Sequence, residues 1–290
     1  MLALLITHNF GKSWKQRGEL PERNIIKQIV WIDASHVAIN ASNNGHGKIF
    51  YSCDGGRKFE ITLNNTAASN GIVWDTASGH LYAIDNLNRF YVSYTKGRTW
   101  QGHGSRIPFE QRPNVSHFCS LTSFKENGRQ DIFATSSYPG QIFRTRDTGR
   151  HWQRVFSDSI FYRNREIPMM GKLRDGRFLA VSAQGTVDEP GGLLIGSRTS
   201  HQWKNVPTPE GLWAFAEDPF RPGFIVAGGF GLGRRPEDAA AFWTNDYGLS
   251  WHPKPLLGAI LVWQIEFLAP HSWILATDMG LVELNISSLN

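Results

Sequence analysis

Two sets of side chains in this chain are of types that could do chemistry together. Asp188, Glu189, Glu237 and Asp238 are neighbouring carboxylates in segments without a regular apolar pattern. Two carboxylates facing across a cleft at roughly 5 to 10 Å can cleave a glycosidic bond, one protonating the leaving oxygen while the other attacks or activates water. The second set is Arg106, Arg163, Arg165, Arg234 and Arg235, with Tyr162 beside them. Planar guanidinium forks hold carboxylates, sulfates or phosphates through paired N–H groups, so this set points to an anionic ligand.

Other chemistries lack the residues they need. The ten histidines are scattered, with no His-x-x-x-His and no paired cysteines at ligand spacing, so no metal is expected. The glycine-rich stretch 228–233 follows an apolar strand pattern but opens no helix, and no cofactor is expected. A net charge of +5 without any run of five basic residues argues against nucleic acid as a partner. Cys53 and Cys119 fall in different strand patterns and are expected to be free and buried. The apolar start at 2–6 is too short for a signal peptide, and no stretch reaches the roughly 18 apolar residues that span a bilayer. A soluble monomer is expected, in a compartment the sequence does not specify.

The elements that must position these residues are set by a repeat. An octamer of the form Ser/Thr-x-Asp-x-Gly-x-x-Trp occurs at 145–152 and, with substitutions, at 7–14, 52–59, 93–100, 196–203 and 244–251. Its starts are 41 to 52 residues apart, each preceded by strands of alternating apolar and polar residues. The Asp can accept from backbone N–H groups of its own turn, and Gly supplies a left-handed position at no steric cost. Trp14, Trp100, Trp152, Trp203 and Trp251, with Phe59 in the sixth turn, give each hairpin a large apolar body. Side chains needed six times over are structural, not catalytic.

The octamer resembles the Asp box of the BNR-repeat β-propeller superfamily, and the likeness covers essentially the whole chain. Sialidases, xyloglucan-cleaving glucanases, sortilin-type receptors and the photosystem II assembly propeller share it. Ala216-Glu217-Asp218-Pro219 followed by 223–229 resembles the strand, turn, strand passage of the glucanase and assembly-factor repeats. The resemblance implies residues 1–290 as one all-β domain, a six-bladed β-propeller of four-stranded antiparallel blades, closed by N- and C-terminal strands sharing a blade. The strand count leaves 2–7 and 280–285 both claiming third place in that blade, so seven blades, one incomplete, is the alternative.

Strand direction then sorts the turns. Asp boxes and the turns between first and second strands share one end of each sheet. The long connections 17–24, 43–47, 64–70, 102–116, 156–166, 184–190 and 228–238 share the other, and these carry both chemical sets. A sialidase is disfavoured: Arg106-Ile107-Pro108 resembles that family's Arg-Ile-Pro element but follows the third box, and Tyr247 lies inside a box. The reading is a binding or assembly propeller for an acidic protein segment or anionic glycan. A glycoside hydrolase at the same end is the alternative.

Overall fold

The computed structural model describes residues 2–9, 11–65, 69–103, 106–108, 118–126, 128–137, 140–157, 166–183, 192–197, 202–208, 211–229, 241–256, 259 and 261–286. Among them every regular element is a strand. The first two, β1 (Leu2–Ile6) and β2 (Lys15–Leu20), pair only with each other. Then come β3 (Ile25–Trp31), β4 (Val37–Asn43), β5 (His46–Ser52) and β6 (Glu60–Asn65) as one sheet, and β7 (Ser69–Asp75), β8 (His80–Asp85), β9 (Phe90–Ser93) and β10 (Gln101–His103) as the next.

The same order continues in β11 (Phe118–Glu126), β12 (Arg129–Ser136), β13 (Gln141–Thr145) and β14 (Gln153–Ser157), and again in β15 (Glu166–Lys172), β16 (Phe178–Ala183), β17 (Gly192–Gly196) and β18 (Trp203–Pro207). A sixth sheet holds β19 (Leu212–Glu217), β20 (Ile225–Gly229), β21 (Ala241–Thr244) and β22 (His252–Lys254). The last has three strands, β23 (Val262–Ala269), β24 (Ser272–Thr277) and β25 (Gly280–Asn285).

Seven sheets therefore form among the described residues, five of them four-stranded in sequence order. Of the two segments with a claim on third place in the final sheet, β25 takes it, pairing with β24 from Ser272↔Asn285 to Thr277↔Gly280. Chain contacts divide the molecule into two compact units, Met1–Ala134 with Ile142–Arg154, and Thr135–Gln141 with Val155–Asn290.

Each unit builds its core between consecutive sheets, because middle strands such as β4 and β16 are buried on both faces. In the first unit Val37, Ile39, Ala41 and Phe50 meet Leu4 and Leu20, while Ala38 and Ile49 on the other face meet Ile72, Leu81 and Ala83. In the second, Val226, Ala241 and Ala214 pack with Val262, Trp273 and Leu275.

Five of the octamers close as hairpin turns with one recurring hydrogen-bond pattern. In the 145–152 turn the Thr145 hydroxyl donates to Asp147 Oδ1 (2.8 Å) and accepts from Gly149 N–H (3.0 Å), while Asp147 Oδ1 also accepts from His151 N–H (2.9 Å). Ser52–Asp54–Gly56 and Thr244–Asp246–Gly248 repeat it, Thr7–Asn9–Gly11 keeps it with an amide, and Ser93–Thr95–Gly97 with a hydroxyl. The glycines sit at φ between 82° and 101°. Cys53, expected to be buried, is exposed, because Ser52 and Asp54 on either side turn their side chains into the hydrogen-bonded turn.

These turns should be acid-sensitive. Burial pulls the Asp246 carboxyl upward, but bonds from the Ser250 and Thr244 hydroxyls and the Ser250 and Leu249 N–H groups outweigh it, taking the group from 3.8 to about 2. A carboxyl depressed in the folded state contributes stability that is fully present above its unfolded value and lost as pH falls through its folded one. Asp246→Ala is expected to cost about 1 kcal/mol at pH 7. Its difference from the parent should shrink between about pH 4 and pH 2; an undiminished gap in thermal melts at pH 2.5 would contradict this.

Candidate functional site

Hydrogen bonds between neighbouring turns establish which ends go together within each unit. At the Asp-box end of the first unit, Gly55 N–H donates to Ser35 O (2.7 Å) and Lys96 Nζ to Asp33 Oδ2 (2.8 Å). In the second, Tyr247 N–H donates to Gly223 O (3.1 Å), and the Arg177 guanidinium lies 4.3 Å from the Tyr247 ring centroid. Box side chains are consumed by such contacts, which leaves the opposite end as the candidate site.

At that opposite end Arg106 is exposed and Ile107 beside it is buried, packed with Phe90, Leu121 and Phe143. Ile107 N–H donates to Asn88 O (3.2 Å), and Asn88 is held at φ 65° in the β8–β9 turn. Fully buried Asp85 organises this turn. It accepts from Leu87 N–H (2.9 Å), Arg89 N–H (3.0 Å), Arg89 Nε (2.7 Å) and the Tyr91 hydroxyl (3.1 Å). Burial first, and the adjacent Asp85 charge second, push the Tyr91 phenol up to about 12, so it remains a donor. A chain of contacts thus runs from a buried carboxylate to an exposed guanidinium.

In the neighbouring sheet of the same unit, Asn43, Asn44, His46, Lys48 and Asn64 line an open polar cavity of about 300 Å³. Lys48 pairs with Glu22, and Asn43 Nδ2 donates to Arg23 O (3.1 Å). Among the described residues no cluster of three or more His, Cys, Asp or Glu could hold a metal ion.

Three residues at this end of the second unit escaped the sequence reading. Glu166 opens β15 opposite Ala183, bridges Ser137, and is raised above the usual carboxyl range by burial. Trp213 and Trp263 are extra residues at β-bulges near the starts of β19 and β23: Leu212 faces Gly229 while Ala214 faces Gly228, and Val262 faces Thr277 while Gln264 faces Ala276. A bulge re-aims one side chain out of the sheet's alternation. Their only sequence signal was a Trp at the beginning of two successive inner-strand patterns.

Of the sequence-derived candidates, only Arg106 lies in the described part. Tyr162, Arg163, Arg165, Asp188, Glu189, Arg234, Arg235, Glu237 and Asp238 lie outside the described residues.

Sheets of this order, joined by these turns, define a β-propeller, and the solved structures that the chain resembles support that class. It is similar to a GH74 enzyme of Niastella koreensis, with a TM-score of 0.72 at 16% identity over 91% of this chain and 46% of that one. It is also similar to a chain of a mitotic checkpoint complex, with a TM-score of 0.68 at 12% identity over 97% and 83%. A third likeness is to YCF48 from Cyanidioschyzon merolae, with a TM-score of 0.51 at 13% identity over 92% and 97%. The chain spans less than half the length of the Niastella protein. No family model matches the chain, and no curated protein matches it by sequence.

Proposed function

We propose that this chain is a non-catalytic binding or assembly propeller of the Asp-box type, whose long-loop end recognises an acidic protein segment or an anionic glycan. The observation that carries this reading is Arg106: an exposed guanidinium on a backbone anchored by buried Ile107 and the bonded Asn88 carbonyl. Pre-ordered cations hold anions at little entropic cost. Arg163, Arg165, Arg234, Arg235 and Tyr162 are proposed as further anion-binding residues, and the net charge of +5 favours the encounter. Among the described residues no helix is long and apolar enough to cross a membrane. A monomer of seven blades is the arrangement we favour, because β25 fills the contested position and β1–β2 stand as a separate sheet.

Affinity for a heparin-like glycan or a Glu-rich peptide is expected to fall as salt rises from 50 to about 300 mM. Arg106→Ala should weaken it about 3- to 10-fold at low salt, as expected for one charge-assisted contact. Arg57→Ala is the control, because Arg57 Nη1 donates to Asp54 O inside a box turn. Equal losses from both variants would reduce the site to diffuse charge attraction, and binding indifferent to both would remove it.

One observation favours a second reading, a glycoside hydrolase. A carboxyl raised by burial at the loop end, Glu166, is suited to act as a general acid. Asp188, Glu189, Glu237 and Asp238 would then be candidates for the second carboxylate. Sugar release from a glycan panel, abolished by Glu166→Gln with folding intact, would replace the binding reading.

A further inference from the structure

The bulges on β19 and β23 lie apart from the arginine site in the chain. In the second unit the two bulged residues, Trp213 and Trp263, are in contact, with ring centroids 5.9 Å apart and planes at 89°. Trp263 is 52% exposed although its neighbours on β23 are fully buried Val262 and, two residues on, Ile265 at 3%. What sets this half-exposed indole apart is that it touches a second one. The register explains its placement: as an extra residue, Trp263 belongs to neither face of the β23 alternation.

The perpendicular arrangement limits what would occupy it. Two rings at right angles form a corner, and the faces of indole rings are electron-rich. A corner suits a compact group that touches both walls, and the ring quadrupole favours a positive one, Trp more strongly than any other side chain. Among the described residues, the sheet that holds Trp263 and its turns carry carboxylates. Asp278 is exposed and bonded back to the strand entry, its Oδ1 accepting from Leu261 N–H (3.1 Å) and its N–H donating to Leu261 O (3.2 Å), two residues from Trp263. Glu266 is also exposed, further along β23, with Oε1 accepting from Gln264 Nε2 (2.8 Å).

We infer that Trp213 and Trp263, with Asp278 beside them, form a binding corner for an organic cation, an alkylammonium or guanidinium group such as a lysine or arginine side chain presents. Its ligand has the opposite charge to the one proposed for Arg106, and either site can fail alone.

The test is titration of the full chain with tetramethylammonium and N-acetyl-argininamide, read by indole NMR shifts. The neutral isostere 3,3-dimethylbutan-1-ol and methyl glucoside serve as comparison probes. Saturable shifts are expected with the cations at millimolar concentration, with affinity about 2- to 30-fold weaker in Trp263→Leu, the range of a desolvated cation–π contact. Trp263→Phe should lose less than Trp263→Leu, and Asp278→Asn, which keeps the oxygen bonded to Leu261, should weaken the cations alone. If Trp263→Leu fails to fold, Trp263→Phe and Asp278→Asn decide the matter. Equal binding of the neutral isostere, preference for the glucoside, no saturation by the cations, or full affinity in the folded variants would each overturn the assignment.

Discussion

Gly149→Ala should lower the melting temperature by about 5 to 15 °C. Two separate penalties meet there. Gly149 has φ 87°, where an L side chain meets its own carbonyl, at about 1 to 2 kcal/mol. A Cβ would also lie 2.3 Å from Phe90 Cδ1. Phe90 cannot readily retreat, since it is fully buried, stacks on Tyr82 with centroids 5.6 Å apart, and meets Trp152 edge-on at 5.3 Å. Overpacking of this kind adds about 1 to 3 kcal/mol.

Gly45→Ala separates the two penalties, because Gly45 has φ 80° with nothing within 4 Å of the added carbon. It should show the conformational penalty alone, about 1 to 2 kcal/mol. If thermal melting shifted equally for both variants, the box glycine would not be a packing contact between sheets. The pattern recurs: a Cβ on Gly56 would strike Leu4 Cδ2 at 2.8 Å, and one on Gly248 would strike Leu193 Cδ1 at 2.7 Å. Box turns thereby couple β3–β6 to β1–β2, β11–β14 to β7–β10 and β19–β22 to β15–β18, which gives the repeat its role in stability.

Asp85→Ala is expected to cost about 3 kcal/mol and, unlike the glycine variant, to damage binding as well. Removing one partner of a buried ion pair costs about 3 to 5 kcal/mol. The lower end is appropriate because the Arg89 side chain is 33% exposed and can rehydrate. The Tyr91 hydroxyl and two backbone N–H groups would also lose their acceptor. With the β8–β9 turn loosened, Asn88 would no longer present its carbonyl to Ile107, and Arg106 would lose its fixed position.

Binding of the anionic probe should then fall by about as much as in Arg106→Ala, although Asp85 itself is negative and its removal raises the net charge. Asp85→Asn keeps an acceptor oxygen for the backbone groups and should be intermediate in both assays. Unchanged melting of Asp85→Ala, or tighter binding with the added positive charge, would show that the turn does not position the guanidinium.

The sequence by itself determined the all-β class, the turns and the end of the sheets where function is sought. Those features rest on interactions within a few residues. In the 145–152 turn every bond among Thr145, Asp147, Gly149 and His151 spans at most four positions, so spacing alone encodes it. The choice between 2–7 and 280–285 for third place in the last sheet was a different matter. Both segments alternate similarly, and only the pairing of Ser272 with Asn285 and its neighbours distinguishes them.

The candidate site was legible as a place more than as a set of residues. Arg106 could be read because Arg is rarely anything but exposed, yet its anchor came from Asn88, eighteen positions away in another turn. The raised carboxyl of Glu166 arises from neighbours brought by folding, and the same residue on an exposed strand would be ordinary. Trp213 and Trp263 escaped the sequence reading, since strict alternation would put each on the face of a buried residue two positions on, Phe215 or Ile265. One extra residue in each of two strands, visible only in the tertiary register, turns them out of the sheets and into contact, because period-two alternation fails at a bulge.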